Sequence, residues 1–325
     1  MKKLYITTPI IILIVITFLA ILLQTPMDNN IPENNSTDLP SRQSAIPTDA
    51  TKINPQTDTN PPKSLSTQYN DPVPVEGPIN TAGAEDSAFI VSDGKTLYFF
   101  FTPDMNIPVE KQVLDPTVGI YVSHKIGVNW TEPKRILLQE EGKLALDGCE
   151  VIQGDVMFFC SAREGYTGLH WFKAEYKDGT WQNWTNADGY FKTSGYEVGE
   201  LYITNDSNEL YFHSNRTGGV GGLDIWVCHN INGQWSQPEN IKTINSVSDE
   251  GWPTLSPDGN ELWFSRDYAV WRSTKLNGEW QIPEKIFSPL CGEPSIDTSG
   301  NVYFTHHFLV NGSLVEADIY VATKK

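Results

Sequence analysis

The sequence predicts an all-β protein: a five-bladed β-propeller closed by an N-terminal strand, preceded by one transmembrane helix and a disordered linker. Three observations predict it. A phrase of the form Asp-Gly-x-x-Leu-aromatic-Phe recurs between residues 86 and 325, an Ile-aromatic-Val run follows it, and a Trp, often as Gly-x-Trp, comes after that in most copies. The spacing of roughly 40 to 60 residues is that of a small sheet that buries its apolar faces only against its neighbours.

Residues 1–24 form the first element. Met1-Lys2-Lys3 precedes an almost purely apolar run from Leu4 to Leu23, which is about long enough to cross a bilayer core. The two lysines favour a cytoplasmic start and an extracytoplasmic remainder. A cleaved secretory signal is the competing reading, although Ala20-Ile21-Leu22-Leu23 makes a poor cleavage site. The protein is accordingly expected to be membrane-anchored and extracytoplasmic, or secreted if the segment is removed. Residues 25–69 are rich in Asn, Thr, Pro, Ser and Asp, too polar to offset the entropy of ordering them, and read as a flexible stalk. Asn34 and Asn35 begin Asn-x-Ser/Thr triplets, as do Asn129, Asn183, Asn205, Asn215 and Asn311, and in an exported chain these have the form of glycan acceptors.

Residues 70–325 hold the repeats. Ser256-Pro257-Asp258-Gly259-Asn260-Glu261-Leu262-Trp263-Phe264 is the clearest copy, with Val270-Trp271 and Gly278-Glu279-Trp280 behind it. Others centre on Asp93-Gly94 with Leu97-Tyr98-Phe99, on Val156-Met157-Phe158-Phe159, on Leu210-Tyr211-Phe212, and on Val302-Tyr303-Phe304. Asp-Gly and its relatives Gln153-Gly154, Ser207-Asn208 and Ser299-Gly300 tolerate positive φ and mark tight turns between the first two strands of each unit. The near-continuous apolar runs suit strands covered on both faces. The last copy stops at Lys325 without its Trp and fourth strand, while residues 73–80 read like the tail of the other copies. That segment is expected to supply the missing outer strand, which removes an exposed sheet edge.

The pattern resembles the TolB-type, WD-like propeller repeat over about residues 74–325, on the strength of the Ser-x-Asp-Gly-x-x-Leu-x-Phe phrase. The second copy departs from it with Gln-Gly and the third with Asp206-Ser207-Asn208. The resemblance implies a propeller and leaves the activity open, because members serve as protein-binding scaffolds, peptidase propellers and sugar-acid lyases.

Forty carboxylates against 23 Lys and Arg give a formal charge of −17, which argues against nucleic acid as a partner. The four cysteines contain no Cys-x-x-Cys pair, so a structural zinc site is not expected. Cys149 and Cys160 fall on two strands of one hairpin and are either a disulfide or two small core residues. A monomer is expected.

If the tight turns lie at the bottom of each unit, the starts of first strands and the ends of second strands meet at the upper rim. That rim then carries Asp86, Asp147, Arg163, Glu200, His213, Arg216, Glu250, Trp252, Arg266, Glu293 and His306, the residues expected to contact a ligand. Glu85, Glu150, Glu197 and Asp249 start first strands too. Crowded carboxylates demand cations, a metal or a polar ligand, whereas any single Arg or acid serves equally well in an internal salt bridge. His306 and His307 are adjacent in a strand, so at most one faces the channel. No cofactor is required by this reading, although a divalent cation is compatible with it.

Three functions follow. The first is non-catalytic binding of a glycan or protein ligand at the channel mouth. The second is a glycoside hydrolase or lyase using Glu200, Glu250 and Glu293 with Asp147 as modulator, since cleavage needs one protonated and one ionised carboxyl group about 5 to 9.5 Å apart. A metal-dependent lyase using the histidines is a third possibility.

Overall fold

The computed structural model describes residues 40–140, 142–191 and 199–325. The fold is all-β and propeller-like. Antiparallel meanders follow one another along the chain: Ala84–Ile90, Thr96–Thr102, Gly119–Ile126 and Lys134–Arg135; then Ala145–Gln153, Val156–Arg163, His170–Lys177 and Thr180–Asn186. Next come Leu201–Ile203, Glu209–Ser214, Asp224–Ile231 and Glu239–Asn240; then Glu250–Leu255, Glu261–Arg266, Ala269–Leu276 and Glu284–Ser288. The last is Cys291–Ile296, Val302–Val310 and Ser313–Ala322, and its outer neighbour is Val73–Pro74, with Val73 opposite Val321. That pairing is the one expected from the truncated last copy. Val75 N–H extends it to the Ile319 carbonyl at 2.9 Å, and the Asn80 amide bonds the backbone of Ile319 in both directions.

The tight turns sit where the dipeptides placed them. Gly94, Gly154, Ser207, Gly259 and Gly300 all have positive φ. Asp93, Asp206 and Asp258 each accept a hydrogen bond from the backbone N–H two residues on, an Asx arrangement that holds the turn. Ser207 manages a φ of 59° without being glycine, because the neighbouring Asp206 fixes the loop. After each turn the Leu-aromatic-Phe run is buried: Leu97, Phe99, Leu262, Trp263 and Phe264 are all fully enclosed.

Packing is between consecutive meanders. Tyr98 and Ile120 of the first join Met157 and Phe159 of the second; Phe158 and Trp171 join Leu201 and Phe212 of the third. Tyr211 and Ile225 join Leu262 and Phe264, and Trp263 and Phe287 join Phe304 and Tyr320. A further cluster combines Phe99 and Tyr121 of the first meander with Tyr303 and Ile319 of the last. First strands touch in the same order, and Cys291–Ile296 also touches Ala84–Ile90. A parallel bridge between Ala317 and Ala84 joins the last meander to the first.

Residues 40–69 differ from the flexible stalk that composition suggests. Arg42, on the short helix Arg42–Ala45, is buried and reaches Glu85 at 2.9 Å and the Ile79 carbonyl at 2.8 Å. Lys52 pairs with Glu316 and Asp318, and Asp58 lies 3.0 Å from His306. Lys63–Ser64 adds a strand to Glu284–Ser288, and buried Tyr69 bridges to Lys324. The segment has few apolar residues because it docks through single charges against buried groups, a signal composition averages away. The expected membrane-spanning run, Asn34, Asn35 and Glu197 lie outside the described residues. Among the described residues no helix is long and apolar enough to cross a membrane. Cys149 and Cys160 form a disulfide; Cys228 and Cys291 are free and buried.

Candidate functional site

Four of the first strands share a local distortion. Register shifts fall between Asp86 and Phe89, Gly148 and Val151, Gly251 and Thr254, and Gly292 and Ser295. Within each shift one residue has positive φ: Ser87, Cys149, Trp252 and Glu293. Such bulges re-aim side chains, and here they separate two sets of acids.

The first set stands one residue before the shift and is neutralised internally. Glu85 pairs with Arg42; Asp147 pairs with Arg163 at 2.7 Å; Glu250 pairs with Arg266 at 2.6 Å. These acids are essentially enclosed, at 0, 2 and 0% exposure. Asp147 further accepts from Ser161, and Glu250 from Ser246. Burial holds Glu250 above the usual carboxylate range, opposed by Ser246 and Arg266. Asp147, Arg163, Glu250 and Arg266 therefore correct the expectation of an open charged rim: their charges are spent on each other, as a buried ion pair requires. Arg216 spreads its guanidinium over the Phe212 and Trp226 rings.

The second set, Glu150 and Glu293 within the shifts and Glu200 ahead of the third strand, gathers at one place. A small opening of about 50 Å³, continuous with solvent, is lined by the first strands of all the meanders, among them Ser87, Glu150, Trp252 and Glu293, and by Glu200 just ahead of the third. Glu150 is 3% exposed, and neither carboxylate oxygen has a hydrogen-bond partner among the described residues. Burial, with the charges of Glu200 and Asp86, pushes its pKa up to about 8. Glu293 is also raised by burial and by Asp86 and Glu200, against which Ser87 donates both its N–H and its hydroxyl at 2.8 Å.

His213 is wedged beside this opening. Its Nδ1 accepts from the Trp252 N–H at 3.2 Å, and its Nε2 lies 4.0 Å from Glu200. A Cβ on Gly199 would stand 1.6 Å from that Nε2, so only glycine allows the strand to approach. Burial pushes His213 down to about 4, leaving the ring neutral at pH 7 and able to accept from Trp252.

The two adjacent histidines do point to opposite faces, but with the roles reversed from the expected choice. His306 is fully buried against Asp58 and the Leu290 carbonyl, so its place at the rim is corrected. His307 instead joins Asp86 and Glu293, with one potential ligand atom from each lying within 4.8 Å of the others. Alternation alone could not say which histidine would face inward, because the covering group for His306, Asp58, comes from 248 residues away. Nothing local in the sequence marks Ser87 or Arg42 either, because their partners Glu293 and Glu85 are remote from them.

No protein-family model matches the chain, and no curated protein matches it in sequence. Among solved structures it is similar to TolB from Acinetobacter baumannii at 14% identity and a TM-score of 0.43, over 75% of this chain and 55% of TolB. It is also similar to an α-L-arabinofuranosidase from Podospora anserina solved with cellotriose, at 10% identity and a TM-score of 0.43, over 79% of this chain and 96% of that one. A β-xylosidase matches at 13% identity and a TM-score of 0.47, over 78% of this chain and 95% of that one. These likenesses concern overall shape.

Proposed function

We propose that the meanders are the five blades of a ring-closed propeller whose central opening binds a saccharide-sized, polyhydroxyl ligand without turning it over, in an extracytoplasmic protein anchored or exported through its N-terminal segment. Closure is supported by the cyclic order of first-strand contacts and by the Val73 to Val321 pairing. The observation that carries the ligand reading is the convergence of Glu150, Glu200, Glu293 and Trp252 from different first strands on one opening. Carboxylates accept hydrogen bonds from sugar hydroxyls, and an indole stacks on the apolar face of a sugar ring. Their recession within an opening suits a glycan terminus better than a flat protein surface.

Titration calorimetry of the full chain in detergent against a panel of oligosaccharides tests this. A binder should lose at least tenfold in affinity in Trp252→Ala and Glu200→Gln while its fold is kept. Equal affinity in both variants would remove the opening as the contact surface.

The second reading, glycoside cleavage, is favoured by several carboxylates sharing one opening, where general acid and base work is feasible. Release of reducing sugar by the wild type, abolished in Glu150→Gln or Glu293→Gln, would establish it over binding alone.

A further inference from the structure

The acids before the bulges all have a guanidinium partner, whereas Asp86, Glu150 and Glu293 form no ion pair with Lys or Arg among the described residues. Recessed carboxylates without a counter-charge are costly. Two of these three converge with an imidazole. From the geometry we infer that Asp86, Glu293 and His307 form a binding site for one first-row divalent cation, Zn²⁺ or Mn²⁺, at the end of the central opening.

Three features of the chain support it. Ligand atoms set tetrahedrally at about 2.0–2.2 Å from one such ion stand about 3.3–3.6 Å apart, and the three atoms here, all within 4.8 Å of one another, reach that spacing by side-chain adjustment. The outer shell is already built: the Ser87 N–H donates to one oxygen of Asp86 at 3.0 Å and to one oxygen of Glu293 at 2.8 Å, and the Ser87 hydroxyl donates to that same Glu293 oxygen. Ser87 thereby orients both carboxylates, which also lie within hydrogen-bond reach of each other, in the manner of supporting groups that orient metal ligands. Finally, buried Nδ1 of His307 has no hydrogen-bond partner among the described residues, and the enclosed, unpartnered Glu150 carboxylate faces the same opening. An imidazole with two carboxylates favours a borderline first-row ion over Ca²⁺ or Mg²⁺, which take oxygen ligands. Glu293 lines the opening as well, so a bound cation would present open coordination positions to a ligand there.

This inference rests on the opening being the functional site, and the test separates the two. Chelator-treated full chain is titrated with ZnCl₂ and MnCl₂. One equivalent should bind saturably, with affinity at least tenfold weaker in Asp86→Asn and in His307→Ala and unchanged in His306→Gln, whose ring lies on the opposite strand face. In the wild type loaded with Co²⁺, proton NMR should show one paramagnetically shifted imidazole. Absence of stoichiometric uptake, absence of a shifted imidazole, or wild-type affinity in both ligand variants would overturn the site. Saccharide binding measured in parallel with EDTA present reads the opening by itself: persistence there without cation uptake defeats only the cation, and uptake without saccharide binding leaves the cation standing and defeats only the ligand reading.

Discussion

The guanidinium of Arg42 lies 2.9 Å from the carboxylate of Glu85, both groups enclosed, although 43 residues separate them. Arg163 and Arg266 do the same for Asp147 and Glu250 from the neighbouring strand of their own meander. In the first meander the second strand ends in Thr102, and the N-terminal segment brings the missing cation from outside.

Removing Arg42 should be expensive. Arg42→Ala leaves Glu85 buried and uncompensated, and urea unfolding should register a loss of about 3–5 kcal/mol. The double variant Arg42→Met with Glu85→Leu should recover most of it. No recovery would mean that the cost comes from lost packing of Arg42 on Phe99, Phe101 and Tyr121.

Acidity at Glu85 gives a signed pH dependence. Burial holds its pKa up to about 7 from an ordinary 4.5, against the pull of Arg42 and Thr81. Because the folded state holds the proton more tightly, this group's contribution is full below about pH 4.5 and is lost as pH rises through 7. Glu85→Gln should therefore flatten the decline of urea midpoint between pH 5 and 7.5.

Shortening the chain should separate two regions. A protein starting at residue 40 keeps Arg42, Lys52, Asp58 and Tyr69, and should melt close to the full chain. One starting at residue 70 loses all four and should melt lower by about 6 °C or more. Equal melting of the two would show that the 40–69 contacts contribute nothing in solution.

Asn80 holds both backbone groups of Ile319. Asn80→Ala leaves them to find other partners in a buried place and should cost about 1–3 kcal/mol. Fluorescence-monitored denaturation gives the value directly.

Much of the architecture is legible in the sequence because the apolar strand runs and turn dipeptides are local. Asp258-Gly259 makes a turn wherever it sits, and Leu262, Trp263 and Phe264 are buried whatever the neighbouring meander. Even the pairing of Val73 with Val321 is readable, from a tail that the last copy lacks. The site is less so. Glu250 and Glu200 both stand at starts of first strands, yet one is locked to Arg266 of the adjoining strand and the other lines the opening, because the strand beside Glu200 ends in Ser214 with no arginine in register. Residues 40–69 illustrate the same limit: an Arg, a Lys and an Asp scattered in a polar stretch look like solvated charges until Glu85, Glu316, Asp318 and His306 are placed beneath them.

The chain's first and last described parts are sewn together: Lys52 to Glu316 and Asp318, Asp58 to His306, Val73 to Val321. Lys52 and Glu316 stand 264 residues apart and Asp58 and His306 stand 248 apart, so none of these contacts can form before the intervening strands have been made and brought round. Contacts this remote in sequence slow assembly and prolong exposure to self-association, so the joining of these distant segments, more than local propensity, is the step expected to limit how fast the fold is completed.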